Sequence, residues 1–173
     1  MIKLFICKVC GEPYLGEEAP SDCPFCGAPG VFVVLFSDYK QLWKTAISET
    51  EKADMNAALA DEVNATYFYD KVAKTQERYS KYNRLFKRLT TVEQEHIDIL
   101  VKFLQITTPV LKGEESKGSI EKDLVRTAEL EEGATKDYVK FAARATNENV
   151  RMLFKALEHA ERGHYDLVNN DKK

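Results

Sequence analysis

Glu93-Gln-Glu-His96 and Glu161-Arg-Gly-His164 repeat one pattern, Glu-x-x-His, inside two stretches that otherwise read as amphipathic helix. A spacing of three sets carboxylate and imidazole one turn apart on the same helical face. On a wheel of about 100° per residue that face is the apolar one. It runs Leu85, Leu89, Val92, Glu93, His96, Leu100, Phe103 in one stretch and Val150, Leu153, Leu157, Ala160, Glu161, His164, Val168 in the other. Two further stretches carry a single inner glutamate. One reads Met55, Ala58, Glu62, Ala65, Thr66, Tyr69, Val72, Ala73, and the other Ile120, Leu124, Thr127, Glu131, Ala134, Tyr138, Ala142, Ala145. A lone glutamate followed by Glu-x-x-His therefore occurs twice, as an internal repeat with an offset near 69.

No glycine lies between Val31 and Lys112 and no proline between Val31 and Thr108, so long helices are free to form. The periodicity predicts four, at about 51–78, 81–106, 119–145 and 147–169. Thr107 to Gly118, with Pro109 and Gly113, is long enough to cross a bundle end to end. The other two connections are short and imply antiparallel neighbours. A short helix is expected over Asp38 to Ser48, with Trp43 as a packing anchor.

Six ionisable side chains, Glu62, Glu93, His96, Glu131, Glu161 and His164, thus face one core. Unpartnered buried carboxylates cost many kcal/mol, so these must be protonated, paired with cations or bound to metal. No lysine or arginine lies on the inner stripes. Two divalent ions would balance four carboxylates and leave both imidazoles neutral. Mixed carboxylate and imidazole donors suit iron or manganese, and zinc or a mixed pair also fits. The set matches ferritin-like di-metal carboxylate bundles. Tyr69 and Tyr138, each seven residues after an inner glutamate, are placed to hydrogen-bond the carboxylates or to fill space. Gly133 and Gly163 are expected to permit close helix approach. Glu95, Glu129, Glu132 and His159 lie off the stripes and read as solvated. A second register of the third helix would use Glu129 and Glu132 instead of Glu131, turned away from the apolar face.

The first 36 residues have a different character. All four cysteines, four glycines and four prolines lie within the first 30. Cys7-Lys-Val-Cys10 and Cys23-Pro-Phe-Cys26 are two C-x-x-C turns that can close a tetrahedral cage of four sulfurs around iron or zinc. Spacing does not separate those metals. Two disulfides would suit a secreted chain, but Met1 to Cys7 has no signal-peptide apolar segment. Strands are expected at Lys3 to Ile6 and Val31 to Phe36, with Phe5, Tyr14, Phe25 and Phe32 as a small core that needs a metal staple.

Of 173 residues, 44% are apolar and 31% charged, which suits one medium domain plus a small module. The net charge of −3 includes no basic patch for nucleic acid. The longest apolar run, Val31 to Phe36, is far short of the roughly 20 residues of a membrane helix. A cytoplasmic protein is expected.

The two metal motifs together resemble the rubrerythrin family over nearly the whole chain. Cys10-Gly-Glu-Pro-Tyr14 and Cys23-Pro-Phe-Cys-Gly27 are similar to its rubredoxin-like part. Ala60-Asp-Glu-Val-Asn-Ala-Thr-Tyr-Phe-Tyr69, Glu93-Gln-Glu-His96 and Glu161-Arg-Gly-His164 resemble its bundle motifs. The resemblance implies a mainly α protein: a rubredoxin-like β ribbon over 1–36 and a ferritin-like four-helix bundle over 37–173. The cysteine module leads, as in reverse rubrerythrins. It further implies one iron on Cys7, Cys10, Cys23 and Cys26 and a di-iron centre on the six bundle residues. The implied activity is reduction of hydrogen peroxide in oxidative stress defence, with electrons from an external redox protein. In that family the cysteine iron of one subunit serves the di-iron centre of another, which implies a homodimer or larger oligomer. Ala134 departs from the pattern: the family usually has a further glutamate there, which exchanges with the first histidine as the metals change oxidation state. Oxygen reduction or ferrous oxidation at the same centre, or a zinc ribbon on a helical scaffold, are the other readings.

Overall fold

Three of the four long helices start at a serine. Ser48 Oγ accepts from Glu51 N at 3.3 Å while the Glu51 carboxylate accepts from Ser48 N at 2.8 Å, a reciprocal cap. Ser80 and Ser119 accept from Asn83 N and Lys122 N in the same way. The computed structural model describes residues 1–170, and its helices are α1 (Glu49–Thr75), α2 (Lys81–Leu104), α3 (Ile120–Arg144) and α4 (Glu148–Asn170). α1 stops three residues before the expected end. Thr75 Oγ1 turns back onto Val72 O at 2.8 Å, and Tyr79 adopts a positive φ of 69° ahead of the Ser80 cap.

α1 packs on α2 and α3 on α4, and the two pairs meet along α1 and α3. The chain from Leu104 to Ile120 crosses between the pairs and passes tightly over α1. A Cβ on Gly113 would lie 2.6 Å from Asn64 Oδ1 and 2.9 Å from its backbone, so only glycine fits. Asn64 Oδ1 accepts from Glu114 N at 2.9 Å and ties the crossover down. No helix among the described residues is long and apolar enough to cross a membrane.

The N-terminal module is a three-stranded antiparallel sheet in the order β2-β1-β3, with β1 (Lys3–Cys7), β2 (Pro13–Gly16) and β3 (Val33–Leu35). β2 is an addition to the sequence expectation, since Pro13 and Gly16 at its ends mask a four-residue edge strand. Phe5 pairs with Tyr14 on one side and Leu35 on the other. β3 begins at Val33 rather than Val31 because Gly30–Phe32 form a single 3₁₀ turn.

The expected helix over Asp38 to Ser48 is absent. After a 3₁₀ turn at Phe36–Asp38 the chain runs as an irregular strap between module and bundle. Two of its carbonyls are bonded from the start of α4 and the residue just before it: Asn149 Nδ2 donates to Leu42 O at 3.0 Å and Asn147 Nδ2 to Ala46 O at 2.8 Å. Leu42 is buried, and Trp43 anchors the strap with the Lys102 ammonium 5.1 Å from its ring centre.

One apolar cluster runs without a break from Phe5 and Val33 of the module to Met55, Ala58, Leu100, Phe141 and Leu153 of the bundle. A second cluster, around Phe68, Val72, Phe86, Leu124 and Val168, fills the far end.

Candidate metal centre

Between those clusters lies a polar layer of Glu62 from α1, Glu93 and His96 from α2, Glu131 from α3, and Glu161 and His164 from α4. The first five are buried and His164 is nearly so. The structure brings all six together in two overlapping quartets. Glu62, Glu93, His96 and Glu161 form one, and Glu93, Glu131, Glu161 and His164 the other; within each the ligand atoms lie within 4.8 Å of one another. The two shared glutamates present one oxygen to each histidine. Glu93 Oε2 lies 2.8 Å from His96 Nδ1 and its Oε1 3.1 Å from His164 Nδ1. Glu161 Oε1 lies 2.9 Å from His96 Nδ1 and its Oε2 3.2 Å from His164 Nδ1. Glu62 and Glu131 stand at the two ends, 3.6 Å and 3.5 Å from their histidines.

Several of these close atoms have no hydrogen bond. Both Glu93 oxygens, His96 Nδ1 and Glu161 Oε1 are buried without a partner of acceptable geometry. Buried polar atoms normally are bonded, so orphaned oxygens and an imidazole nitrogen aimed at common points fit cations held between them. Without cations, protons carry the balance. Burial raises Glu62 to about 8, with the Glu161 charge adding to it, and drives Glu131 well above its ordinary range for the same two reasons. Burial opposes charge on both imidazoles, but Glu161 and Glu62 around His96, and Glu93 and Glu131 around His164, outweigh it and push both rings up. Burial also works against Glu161, yet the His96 and His164 rings hold it well below its usual value. Cation uptake therefore displaces protons.

The tyrosines bond the end glutamates crosswise. Tyr69 of α1 donates to Glu131 Oε1 of α3, and Tyr138 of α3 to Glu62 Oε1 of α1. Tyr69 leaves Glu131 Oε2 toward His164, whereas the Glu62 Oε1 held by Tyr138 is also the oxygen 3.6 Å from His96 Nδ1. A cavity of about 170 Å³ opens between α1 and α3, with Glu62, Glu131 and Glu161 at its floor and Asp61, Glu129 and Asp137 at its mouth. Ala134 lines it.

The charged residues set aside on sequence grounds, Glu95, Glu129, Glu132 and His159, all stay outside the inner layer. Glu129 and Glu132 are exposed and pair with Arg126 and Lys136, so the second register of α3 is not adopted. Glu95 is only half-buried, and burial together with Glu12 of the module pushes its carboxyl up. His159 is on the solvated face as expected, and its Nε2 meets Asp22 Oδ1 of the module at 2.7 Å. Gly133 and Gly163 do not serve close helix approach, because both lie on exposed faces where a Cβ would meet nothing within 4 Å.

In the module Cys7, Cys10, Cys23 and Cys26 are all buried and within 4.8 Å of one another. Cys7 and Cys26 sulfurs are 3.8 Å apart, as are those of Cys10 and Cys23, so no disulfide is present among them. Each C-x-x-C turn is closed by a glycine, with Gly11 N donating to Cys7 O and Gly27 N to Cys23 O. Gly11 and Gly27 have φ of 89° and 71°, and both also touch a neighbour: a Cβ would lie 2.9 Å from the Trp43 ring or from Ala160 Cβ. Contacts among the sulfurs push Cys10 and Cys26 up and hold Cys7 and Cys23 down, and a bound cation would leave all four as thiolates.

The module sits on the bundle through polar contacts that the sequence pattern does not signal. Lys102 Nζ donates to Cys10 O at 2.8 Å, and Arg88 donates to Pro24 O. His96 Nε2 lies 2.9 Å from Cys26 O. A carbonyl only accepts, so Nε2 carries the proton and Nδ1 faces the carboxylates. Backbone acceptors reached across some 70 positions leave no periodic trace. The crosswise tyrosine bonds, by contrast, follow from the repeat, since two turns after each glutamate is the same face.

Comparison with known proteins agrees with this geometry. The rubrerythrin family model matches residues 55–170, and the model of the rubrerythrin rubredoxin-like domain matches residues 5–31. The chain belongs to the rubrerythrin family. Reverse rubrerythrin-1 of Clostridium acetobutylicum is 27% identical over 113 residues, which span 60% of this chain and 62% of that relative. No solved structure matches the chain significantly. Family members are typically oxidoreductases, and the four-cysteine site and the carboxylate and histidine layer are consistent with iron.

Proposed function

We propose that this chain reduces hydrogen peroxide to water at two iron ions held by Glu62, Glu93, His96, Glu131, Glu161 and His164, with electrons delivered through an iron held by the four cysteines. The observation that carries this reading is the contact between Cys26 O and His96 Nε2, which joins the cage directly to a ligand of the bundle centre. A storage site for iron has no use for such a junction.

When bound, the ion pair supplies two electrons to the oxidant, so that peroxide with two protons yields two waters. The protein's own groups do the rest. Glu93 and Glu161, each facing both histidines, hold the two positions together. Tyr138 and Tyr69 keep Glu62 and Glu131 in place through hydrogen bonds. The cavity between α1 and α3 admits a small oxidant to that floor. At its mouth the Asp61 carboxyl, pushed up by burial and by Asp137, is placed to supply protons. Surrounding apolar side chains limit water.

Partners follow from the same reading: peroxide as oxidant, an external redox protein as donor, and a homodimeric assembly as the resemblance implies. The Cys26 to His96 contact lies within one chain, which supports a route for electrons inside a single subunit as well.

The test is to reduce the iron-loaded protein without oxygen and then add peroxide or oxygen, following the colour of the cysteine iron. Fast reoxidation by peroxide that is lost in Glu161→Ala is expected. Faster reoxidation by oxygen would replace peroxide reduction with oxygen reduction, and a colourless zinc-filled cage would remove electron carriage altogether.

A further inference from the structure

The two quartets are built alike by the internal repeat but are finished differently. The His96 quartet is sealed, with the His96 ring wholly buried and fixed from behind by the Cys26 carbonyl. His164 keeps 13% of its side-chain surface exposed, and no described residue bonds its Nε2. The neighbouring Gly163 faces open space. Among the described residues only His96 therefore has an outer partner, and that partner belongs to the cysteine cage.

Resting on the di-metal reading above, we propose that filling the cysteine cage sets the cation affinity of the His96 seat and leaves the His164 seat unchanged. The Cys26 carbonyl sits on the turn whose sulfur closes the cage, so its position is only as firm as the cage. The rest of the module gives that turn little support, since its buried side chains besides the cysteines are Phe5, Ile6, Val9, Ala28 and Val33. The turn is also pressed close to α4, where Gly27 abuts Ala160. When the cage opens, the carbonyl moves away and His96 loses the group that sets its tautomer and orientation. Loss of such an outer partner weakens a metal site about 10- to 100-fold. Linkage makes the effect reciprocal, so a cation at the His96 seat tightens the cage by the same factor.

The experiment uses the full chain in two single-seat forms: His164→Ala keeps the His96 seat, and His96→Ala keeps the His164 seat. Manganese(II) is the probe, because it takes carboxylate and imidazole and ignores thiolates, and the free ion is read by its paramagnetic resonance signal. Each form is titrated with the cage filled by one equivalent of zinc and again with the cage emptied. Emptying the cage should weaken manganese binding about 10- to 100-fold in His164→Ala and by less than about twofold in His96→Ala. Equal weakening in both forms, or none in His164→Ala, overturns the proposal.

The reciprocal measurement covers an emptied module that fails to fold. The zinc affinity of the cage, found by competition with a chelator, should rise on adding manganese to His164→Ala and stay constant in His96→Ala. The opposite result, or no change in either, overturns the proposal. Failure of the unaltered chain to bind any manganese would sink the di-metal reading itself, whereas two ions bound regardless of the cage would sink only the coupling.

Discussion

The cysteine module and the helical bundle both bury ionisable side chains, but they differ in what else holds them. In the module the four sulfurs make up much of the interior, beside a three-stranded sheet and a few apolar side chains. In the bundle the charged layer is enclosed between two apolar clusters, and its end glutamates are held by buried tyrosines. Protons can stand in for cations there, because Glu62 and Glu131 are pushed up and both imidazoles favour their charged forms. No such substitution preserves a cage. The fold of the module is thus expected to depend on a bound metal, whereas the bundle is expected to stand without one.

The sharpest way to break that contrast is Cys23→Ser. A structural four-ligand site contributes on the order of 10 kcal/mol, comparable to the whole stability of a domain, so the variant should unfold the module. Backbone amide NMR signals of 1–36 should collapse to unfolded positions while far-ultraviolet circular dichroism keeps the helical signal. Dispersed module signals in the metal-free variant would show that the sheet stands alone.

Removing a polar tie inside the bundle should cost less. Glu51 Oε1 accepts from Thr146 N at 2.9 Å and Asn147 N at 2.7 Å, and its Oε2 completes the Ser48 cap. One carboxylate therefore starts α1 and fastens the α3–α4 turn to it. Glu51→Ala should destabilise by about 2–4 kcal/mol, measured by urea unfolding. The pH dependence has a definite sign. Burial opposes the charge, but the backbone donors of Asn147 and Ser48 prevail and bring the pKa to about 2. A lowered folded value means the stabilisation is complete above the unfolded value of about 4.5 and fades as pH falls through about 2. The gap between the two proteins should accordingly be widest near neutrality and narrow in acid.

The same contrast explains what could be read from the residues alone. The helices, the long crossover and the six inner residues were legible because helical periodicity places side chains by counting, and a charged residue on an apolar stripe stands out. Both C-x-x-C turns were legible for a similar local reason. The strap after Asp38 was not, because its carbonyls are satisfied by Asn147 and Asn149 from more than 100 positions away. The junction of Cys26 with His96 escaped for the same reason, since any residue offers a backbone carbonyl. Gly163 was misjudged because a glycine near ligands suggests crowding, and only coordinates reveal whether a neighbour is there.

Glycine gives the finest test of the difference between the two regions, since the same substitution should change sign. At Gly27 the φ of 71° lies in the left-handed region and a Cβ would come within 2.9 Å of Ala160. Gly27→Ala should destabilise the metal-loaded protein by about 1–2 kcal/mol, the penalty for a side chain in that conformation. At Gly163 the backbone is helical, φ is not positive and the space beyond is open. Glycine inside a helix is worse than alanine by about 0.8–1 kcal/mol, so Gly163→Ala should stabilise the bundle by that amount. Urea midpoints of the two variants, set against the parent protein, decide it. Stabilisation at both sites would mean that the cage turn tolerates a Cβ and that the module rests less firmly on α4 than the Gly27 contact indicates. Destabilisation at both would mean that α4 bends at Gly163 to seat His164, giving that glycine a structural task its exposed position does not reveal.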